Sequence, residues 1–169
     1  MPHSTEPDVQ TRWLSPDELT AWRAFSRMIA KLQWELESHL QQTAELSFVE
    51  YHALAMLSEH ARHTMRMSEL ADLTNASLSR LSHLVKRLEQ RELVRREPDP
   101  DNGRYTNAIL TEKGHATLVA AAPAHVAKVR ALVIDALTPA QLRHFGAGAE
   151  RIIRRIDDAS PLSDRPRSR

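Results

Sequence analysis

Residues 75–111 read NASLSRLSHLVKRLEQRELVRREPDPDNGRYTNAILT, and the alternation of patterns along them decides the fold. Leu78, Leu81, Leu84, Val85 and Leu88 recur at spacings of three, four and one, which puts them on one face of an α-helix. With Leu81 at the centre of that stripe, Ser79, Ser82, His83, Lys86, Arg87 and Gln90 project from the other side. That side carries hydroxyls, an imidazole and cations, with no carboxylate at its centre. It suits a DNA major groove, having donors and acceptors for base edges and cations for phosphates.

Downstream, Leu93-Val94-Arg95-Arg96 reads as a short strand and residues 98–103 as a turn-rich loop. Asn102-Gly103 is the strongest hairpin signal, because both residues tolerate positive φ. Thr106 to Leu110 returns as a strand with Thr106, Ala108 and Leu110 on one face. Upstream, Ser68 is expected to cap a short helix over residues 69–73, with Leu70 and Leu73 facing inward. A tight turn follows, in which Asn75 or Ser77 caps the next helix and also donates to a phosphate. Short helix, turn, polar-faced helix and hairpin together spell a winged helix-turn-helix. Its wing would carry Arg104 to the phosphates or the minor groove. A surface amphipathic helix followed by an ordinary hairpin fits the same spacing, so pattern alone leaves both readings open.

The flanks are helical. Leu14-Ser15-Pro16-Asp17-Glu18-Leu19 combines an N-cap serine, proline at the first helical position, a capping box and a hydrophobic staple. Trp22, Phe25, Ile29, Leu32, Leu36 and Leu40 then run at spacings of three or four. A second box opens at Ser47 and Glu50, flanked by Leu46 and Tyr51. Thr111 is expected to cap a long helix carrying Leu118, Ala122, Val126, Val129, Leu132 and Val133, kinked at Pro123. Leu137-Thr138-Pro139-Ala140-Gln141-Leu142 repeats the first cap, ahead of Phe145, Ala149, Ile152, Ile153 and Ile156. These seams exceed what one small lobe can cover, and burying them between chains is favourable at about 25 cal/mol per Å² of apolar surface. The expected fold is mainly α with a small β-hairpin wing. A winged helix-turn-helix lobe (47–112) lies between long dimerisation helices (15–46 and 113–159), with flexible tails at 1–14 and 160–169. The expected assembly is a homodimer.

Composition narrows the chemistry. The net charge is +1, and residues 77–104 hold seven Lys/Arg against five Asp/Glu, so nucleic-acid binding must rest on where charges sit. There are no cysteines, which excludes disulfides and thiolate metal sites. No apolar run is expected to approach a membrane span, and the N-terminus lacks a signal-peptide pattern, which makes the cytoplasm the default location. His60 and His63 could share a helical face, but they fit a helix C-terminus facing its dipole better than a metal site. No metal or cofactor is expected. Nucleophile–base pairs, phosphate-binding glycine loops and paired carboxylates do not occur at meaningful spacing, which argues against an enzyme.

The run DPDNGRYTNAILTEKG, residues 99–114, preceded by SHLVKRLEQRELVRR, residues 82–96, resembles the MarR family of bacterial transcriptional regulators. Val85, Arg87, Leu88, Glu89, Leu93, Val94, Asp99, Pro100, Arg104, Leu110, Thr111 and Gly114 fall in register with that family's helix-and-wing pattern, over about a third of the chain. Glu92 stands in place of the family's glycine after the recognition helix. Asn102 stands in place of the wing aspartate that holds the wing arginine. The resemblance implies a dimeric regulator, a repressor in this reading, on a pseudo-palindromic double-stranded DNA operator. Ser79, Ser82, His83 and Lys86 would face the groove, with Asn75, Ser77, Arg80 and Arg104 on the backbone. It further implies a small aromatic or phenolic effector in a cleft lined by Trp22, Phe25, Trp34, His39, His52 and Met56, residues that also make sense as packing. The alternatives are a dimeric winged-helix protein-interaction module and a metal-responsive regulator.

Overall fold

A computed structural model describes residues 11–159. The tails expected at 1–14 and 160–169 lie outside the described residues, except for 11–14, which have no regular structure. The chain falls into two compact units, one ending at Glu35 and one beginning at Leu36, with the division inside the first helix.

That helix, α1 (Pro16–Ala44), opens on the expected box: the Ser15 backbone N–H donates to Glu18 Oε2 at 2.8 Å and the Glu18 N–H to Ser15 Oγ at 3.3 Å. Helix α2 (Phe48–Glu59) begins the same way at Ser47 and Glu50. Its first N–H donates to Glu37 Oε2 at 2.7 Å, which ties the end of α1 to the start of α2. Strand β1 (Thr64–Arg66) and helices α3 (Met67–Leu73) and α4 (Leu78–Gln90) follow. Strands β2 (Val94–Pro98) and β3 (Thr106–Leu110) lead into α5 (Glu112–Val129) and α6 (Pro139–Ala159). The last box, Thr138 with Gln141, is also formed.

The sheet is antiparallel in the order β1-β3-β2, with Met65 opposite Ala108 and Arg96 opposite Ala108 on the other side. Three residues of β1 are too few to leave a period in the sequence, so this third strand was not expected. Leu46, Leu54, Leu57, Leu70, Leu81, Val85 and Leu88 are fully buried and form the centre of the lobe's core.

Several local expectations need correction. Ser68 lies inside α3, whose N-cap is Arg66 without a side-chain cap bond. Leu73 and Leu78 were placed on apolar faces but are about half exposed, because each ends its stripe beside a turn rather than over the core. Helix α5 stays helical through Pro123, and a departure from α-helical bonding that the sequence does not announce comes at Arg130–Ile134, a single π-helical turn. Proline forfeits one hydrogen bond, and on an exposed face water can satisfy the freed carbonyl. Glu112–Ile134, whose most apolar 18-residue stretch has a mean hydropathy of 1.4, is also long and apolar enough to cross a membrane by length and composition. Lys128 and Arg130 interrupt the run to the eye, while its alanines and valines keep the average high.

The close of α4 shows how the chain manages without glycine. Glu92 takes φ 60°, the Leu93 N–H bonds the Leu88 carbonyl at 2.9 Å, and the Glu92 N–H bonds that of Glu89 at 2.9 Å. This is a Schellman motif with a glutamate in the left-handed position, at a cost of about 1 kcal/mol against glycine. The Glu92 carboxylate meets Lys113 Nζ at 2.8 Å, and that contact holds its pKa below the usual carboxylate range. Where glycine is essential is Gly114: a Cβ there would stand 2.0 Å from the Leu93 carbonyl oxygen.

Candidate nucleic-acid interface

Helix α4 is capped by Ser77, whose Oγ accepts from the Arg80 N–H at 3.3 Å. Asn75 takes φ 51° in the turn between α3 and α4, a conformation that asparagine tolerates, so Ser77 and not Asn75 is the cap. Leu81, Leu84, Val85 and Leu88 are buried, which turns Ser79, Arg80, His83 and Lys86 outward as exposed residues and leaves Ser82 half-buried. The orientation of this face is set from behind. Glu50, itself buried, uses one carboxylate oxygen for its own helix cap and the other to accept from Arg87 Nε at 3.2 Å, and Arg91 lies 4.0 Å away. The N-terminus of α2 is thereby locked to the far side of α4.

The hairpin loop, residues 99–105, does not close as the sequence suggested. Neither Asn102 nor Gly103 has positive φ. Instead the Asp99 carboxylate accepts the N–H groups of Asp101 and Asn102 at 2.9 and 3.1 Å, and the Tyr105 N–H bonds the Asn102 carbonyl at 2.9 Å. A seven-residue loop needs no primed turn; a side-chain-capped loop satisfies its donors as well. Asn102 Oδ1 accepts the Arg104 backbone N–H at 3.2 Å. The Arg104 guanidinium has no carboxylate partner among the described residues.

The wing is braced by a residue that sequence reasoning missed. Arg66 of β1 donates from Nε to Asp99 Oδ2 at 2.8 Å and lies 4.7 Å from the Tyr105 ring centroid, in a cation–π arrangement. Hydrogen bonding to Arg66, helped by the two backbone N–H groups, holds the Asp99 pKa below the usual carboxylate range against its burial. At the base of the hairpin, Arg96 clasps Glu89 of α4 at 2.6 Å, which likewise lowers the Glu89 pKa. A cleft of about 250 Å³ opens between α4 and the wing, lined by Arg66, Leu78, Ser82, Arg96, Arg104 and Tyr105 together with Met67, Ser68 and Thr106. Three guanidinium groups and several hydroxyls line it, and no carboxylate does. Of the expected DNA contacts, Ser82 and Arg104 meet here, while Ser79, His83 and Lys86 continue along the exposed face of α4.

A family model described as the MarR family matches residues 46–106. Sco3205, a MarR family transcriptional regulator from Streptomyces coelicolor solved in complex with DNA, is 39% identical, with 90% of this chain and 97% of that one covered at a TM-score of 0.83. The chain belongs to the MarR family. AbsC, another MarR family transcriptional regulator from the same organism, is 40% identical, with 88% and 99% covered and a TM-score of 0.84. A mutant MarR from E. coli complexed with operator DNA shares the fold at 18% identity, with 83% and 99% covered and a TM-score of 0.70. A search of curated proteins returns no match.

Against the MarR family pattern, Glu92 and Asn102 are absorbed by the left-handed cap and the Asp99-centred loop. The residues suggested for an effector divide between the two units. Trp22 and Phe25, with ring centroids 6.1 Å apart, and the exposed Trp34 belong to the first. In the second, His39 Nε2 lies 3.1 Å from the Ala124 carbonyl, His52 stacks on Phe48 at 6.1 Å, and Met56 packs against the core. His125 completes this second group, 4.4 Å from Tyr51 and 6.4 Å from Phe48 by ring centroids, with a buried Nδ1 that has no hydrogen-bond partner among the described residues. Burial first, and His39 second, push the His125 pKa down.

His60 and His63 do not share a helical face. Helix α2 ends at Glu59, and the short turn Ala61–His63 takes Arg62 and His63 into positive φ. His60 turns to Glu69 at 3.7 Å and His63 to His115 at 5.6 Å between ring centroids. Among the described residues no group of three or more His, Asp or Glu is arranged to hold a metal.

Proposed function

We propose that this MarR-family chain binds a pseudo-palindromic DNA operator as a homodimer and represses transcription there, in the cytoplasm. The observation that carries the reading is the exposed polar face of α4 beside a cleft against the wing that three arginines line, of which Arg104 has no carboxylate partner among the described residues. Ser79, Ser82, His83 and Lys86 are assigned to the groove, and Asn75, Ser77, Arg80 and Arg104 to the backbone. That Sco3205, 39% identical, was solved in complex with DNA supports the DNA-binding part of the reading.

Dimerisation is supported by the apolar surface outside the lobe. Phe145, Ile152, Ile153 and Ile156 on α6, with Val119, Val126 and Leu132 before it, are all exposed large hydrophobics. Patches of this kind mark association surfaces. The reading therefore assigns 15–46 and 113–159 to dimerisation and 47–112 to DNA. In a dimer the two α4 helices would lie about one helical turn of DNA apart, roughly 34–36 Å.

The decisive experiment is fluorescence-anisotropy titration against the protein's own upstream intergenic DNA and a scrambled duplex at two salt concentrations. Selective, steeply salt-dependent binding is expected; equal weak binding to both duplexes argues for a protein-interaction module. Arg104→Ala should weaken all duplexes alike and lower the salt slope by about one. An unchanged slope would remove the wing from the interface.

The reading extends to a small aromatic or phenolic effector that lowers DNA affinity. The ring cluster of Phe48, Tyr51, His52 and His125, whose His125 Nδ1 is buried without a partner among the described residues, favours it. An effector must bind the free form more tightly than the DNA-bound form to shift anything. Salicylate titrated into the protein–DNA complex tests this, with release of DNA as the expected result.

A further inference from the structure

Leu78 is the first residue of α4, and the period of the helix assigns it to the buried stripe with Leu81, Leu84, Val85 and Leu88. It is instead 54% exposed and takes no part in the core. Single exposed leucines are common on protein surfaces. This one stands in the cleft whose other walls include Arg66, Arg96, Arg104 and Ser82. Ser82 is four residues on, so the two side chains share one edge of the helix, the edge turned to the wing.

Of the three guanidinium groups lining the cleft, Arg66 and Arg96 are held by Asp99 and Glu89, while Arg104 has no carboxylate partner among the described residues and is placed to meet a phosphate. A branched aliphatic side chain among these groups needs an apolar partner that arrives with phosphates. In a DNA major groove the base edges offer one such feature, the C5 methyl of thymine. The N-terminal residues of a recognition helix are those that reach base edges. From this placement we infer that Leu78 is a specificity-determining residue that packs on a thymine methyl in each half-site, and this rests on the DNA-binding reading given above. Ser79, His83 and Lys86 supply polar readout along the neighbouring strip of the helix; Leu78 supplies the one apolar contact at its N-terminal edge.

The test uses full-length protein and a duplex that the protein itself enriches from a random-sequence pool. Each thymine is replaced in turn by deoxyuridine, which removes only the methyl group. Wild type should lose affinity about fourfold per half-site at one symmetric pair of positions, the size expected for one buried methyl. Leu78→Ala should bind the thymine duplex more weakly by a similar factor and show a thymine-to-deoxyuridine ratio near one at that pair. Alanine is the better helix former and Leu78 lies outside the core, so the variant should melt as wild type does. If Leu78→Ala keeps the wild-type ratio, or wild type shows no loss at any thymine, the assignment of Leu78 is overturned while DNA binding stands. If the protein enriches no sequence from the pool, the DNA-binding reading falls and takes this one with it.

Discussion

Helix α4 buries Leu81, Leu84, Val85 and Leu88 within its own lobe, whereas α6, with Phe145, Ile152, Ile153 and Ile156 along one side, buries none of its residues. Both obey the same amphipathic rule, and both begin at a side-chain cap. The difference lies in what stands opposite. The face of α4 meets α2, α3 and the sheet, and Glu50 and Arg96 clamp its back and its end. Among the described residues nothing buries the face of α6. Amphipathicity says that a face has to be covered; it does not say by which chain.

The largest test of this contrast is where the first turn of α5 packs on the lobe. Gly114→Ala drives a methyl into the Leu93 backbone, where no side chain can yield, so a loss of about 3 kcal/mol or more is expected by chemical denaturation. On the other side of the contrast, Ile152→Lys combined with Ile156→Lys should leave the lobe folded by circular dichroism. It should halve the mass in sedimentation equilibrium. A monomeric wild type at micromolar concentration would break the comparison outright.

The capping boxes give a finer test. Glu50→Ala removes a cap and the partner of Arg87 together, and should cost about 1–2 kcal/mol after discounting for the exposed arginine. Gln141→Ala, in the exposed box of α6, should cost about 1 kcal/mol or less. Equal losses would mean that the Glu50–Arg87 tie contributes nothing.

Acid reads the wing. The Asp99 pKa is depressed in the fold, so its contribution is fully present above its unfolded value of about 3.9. It is lost as pH falls through the lower folded value. Denaturation midpoints should therefore drop as pH falls from about 3.9 towards the folded value, with Glu89 adding in the same direction. Asp99→Asn should flatten this limb and, at neutral pH, loosen the loop around Tyr105. The smallest effect is expected at Glu92→Gly, which relieves a left-handed glutamate at the expense of an exposed pair with Lys113, and should raise the melting temperature slightly.

The local signals were legible because they are short in range. All three capping boxes, the Ser77 cap, the buried stripe of α4 and the return strand follow from neighbours a few residues apart. The wing loop misled for the same reason: Asn102-Gly103 is a true local preference, overridden by Asp99 accepting two backbone N–H groups across the loop. Arg66, Tyr105 and Thr106 left no sequence signal as site residues, since only the pairing of β1 with β3 brings Arg66 to the wing.

By itself the sequence determined the helices, their caps, the hairpin and the family, because period, capping chemistry and register with a motif are properties of adjacent residues. The tertiary structure decided which half of each stripe is covered and which side chains meet. It moved Leu78 from the core to the cleft, gathered three arginines there, and left the apolar face of α6 and the Val119, Val126 and Leu132 positions before it uncovered among the described residues. Those outcomes depend on contacts between residues far apart in sequence, whose energies no local pattern encodes.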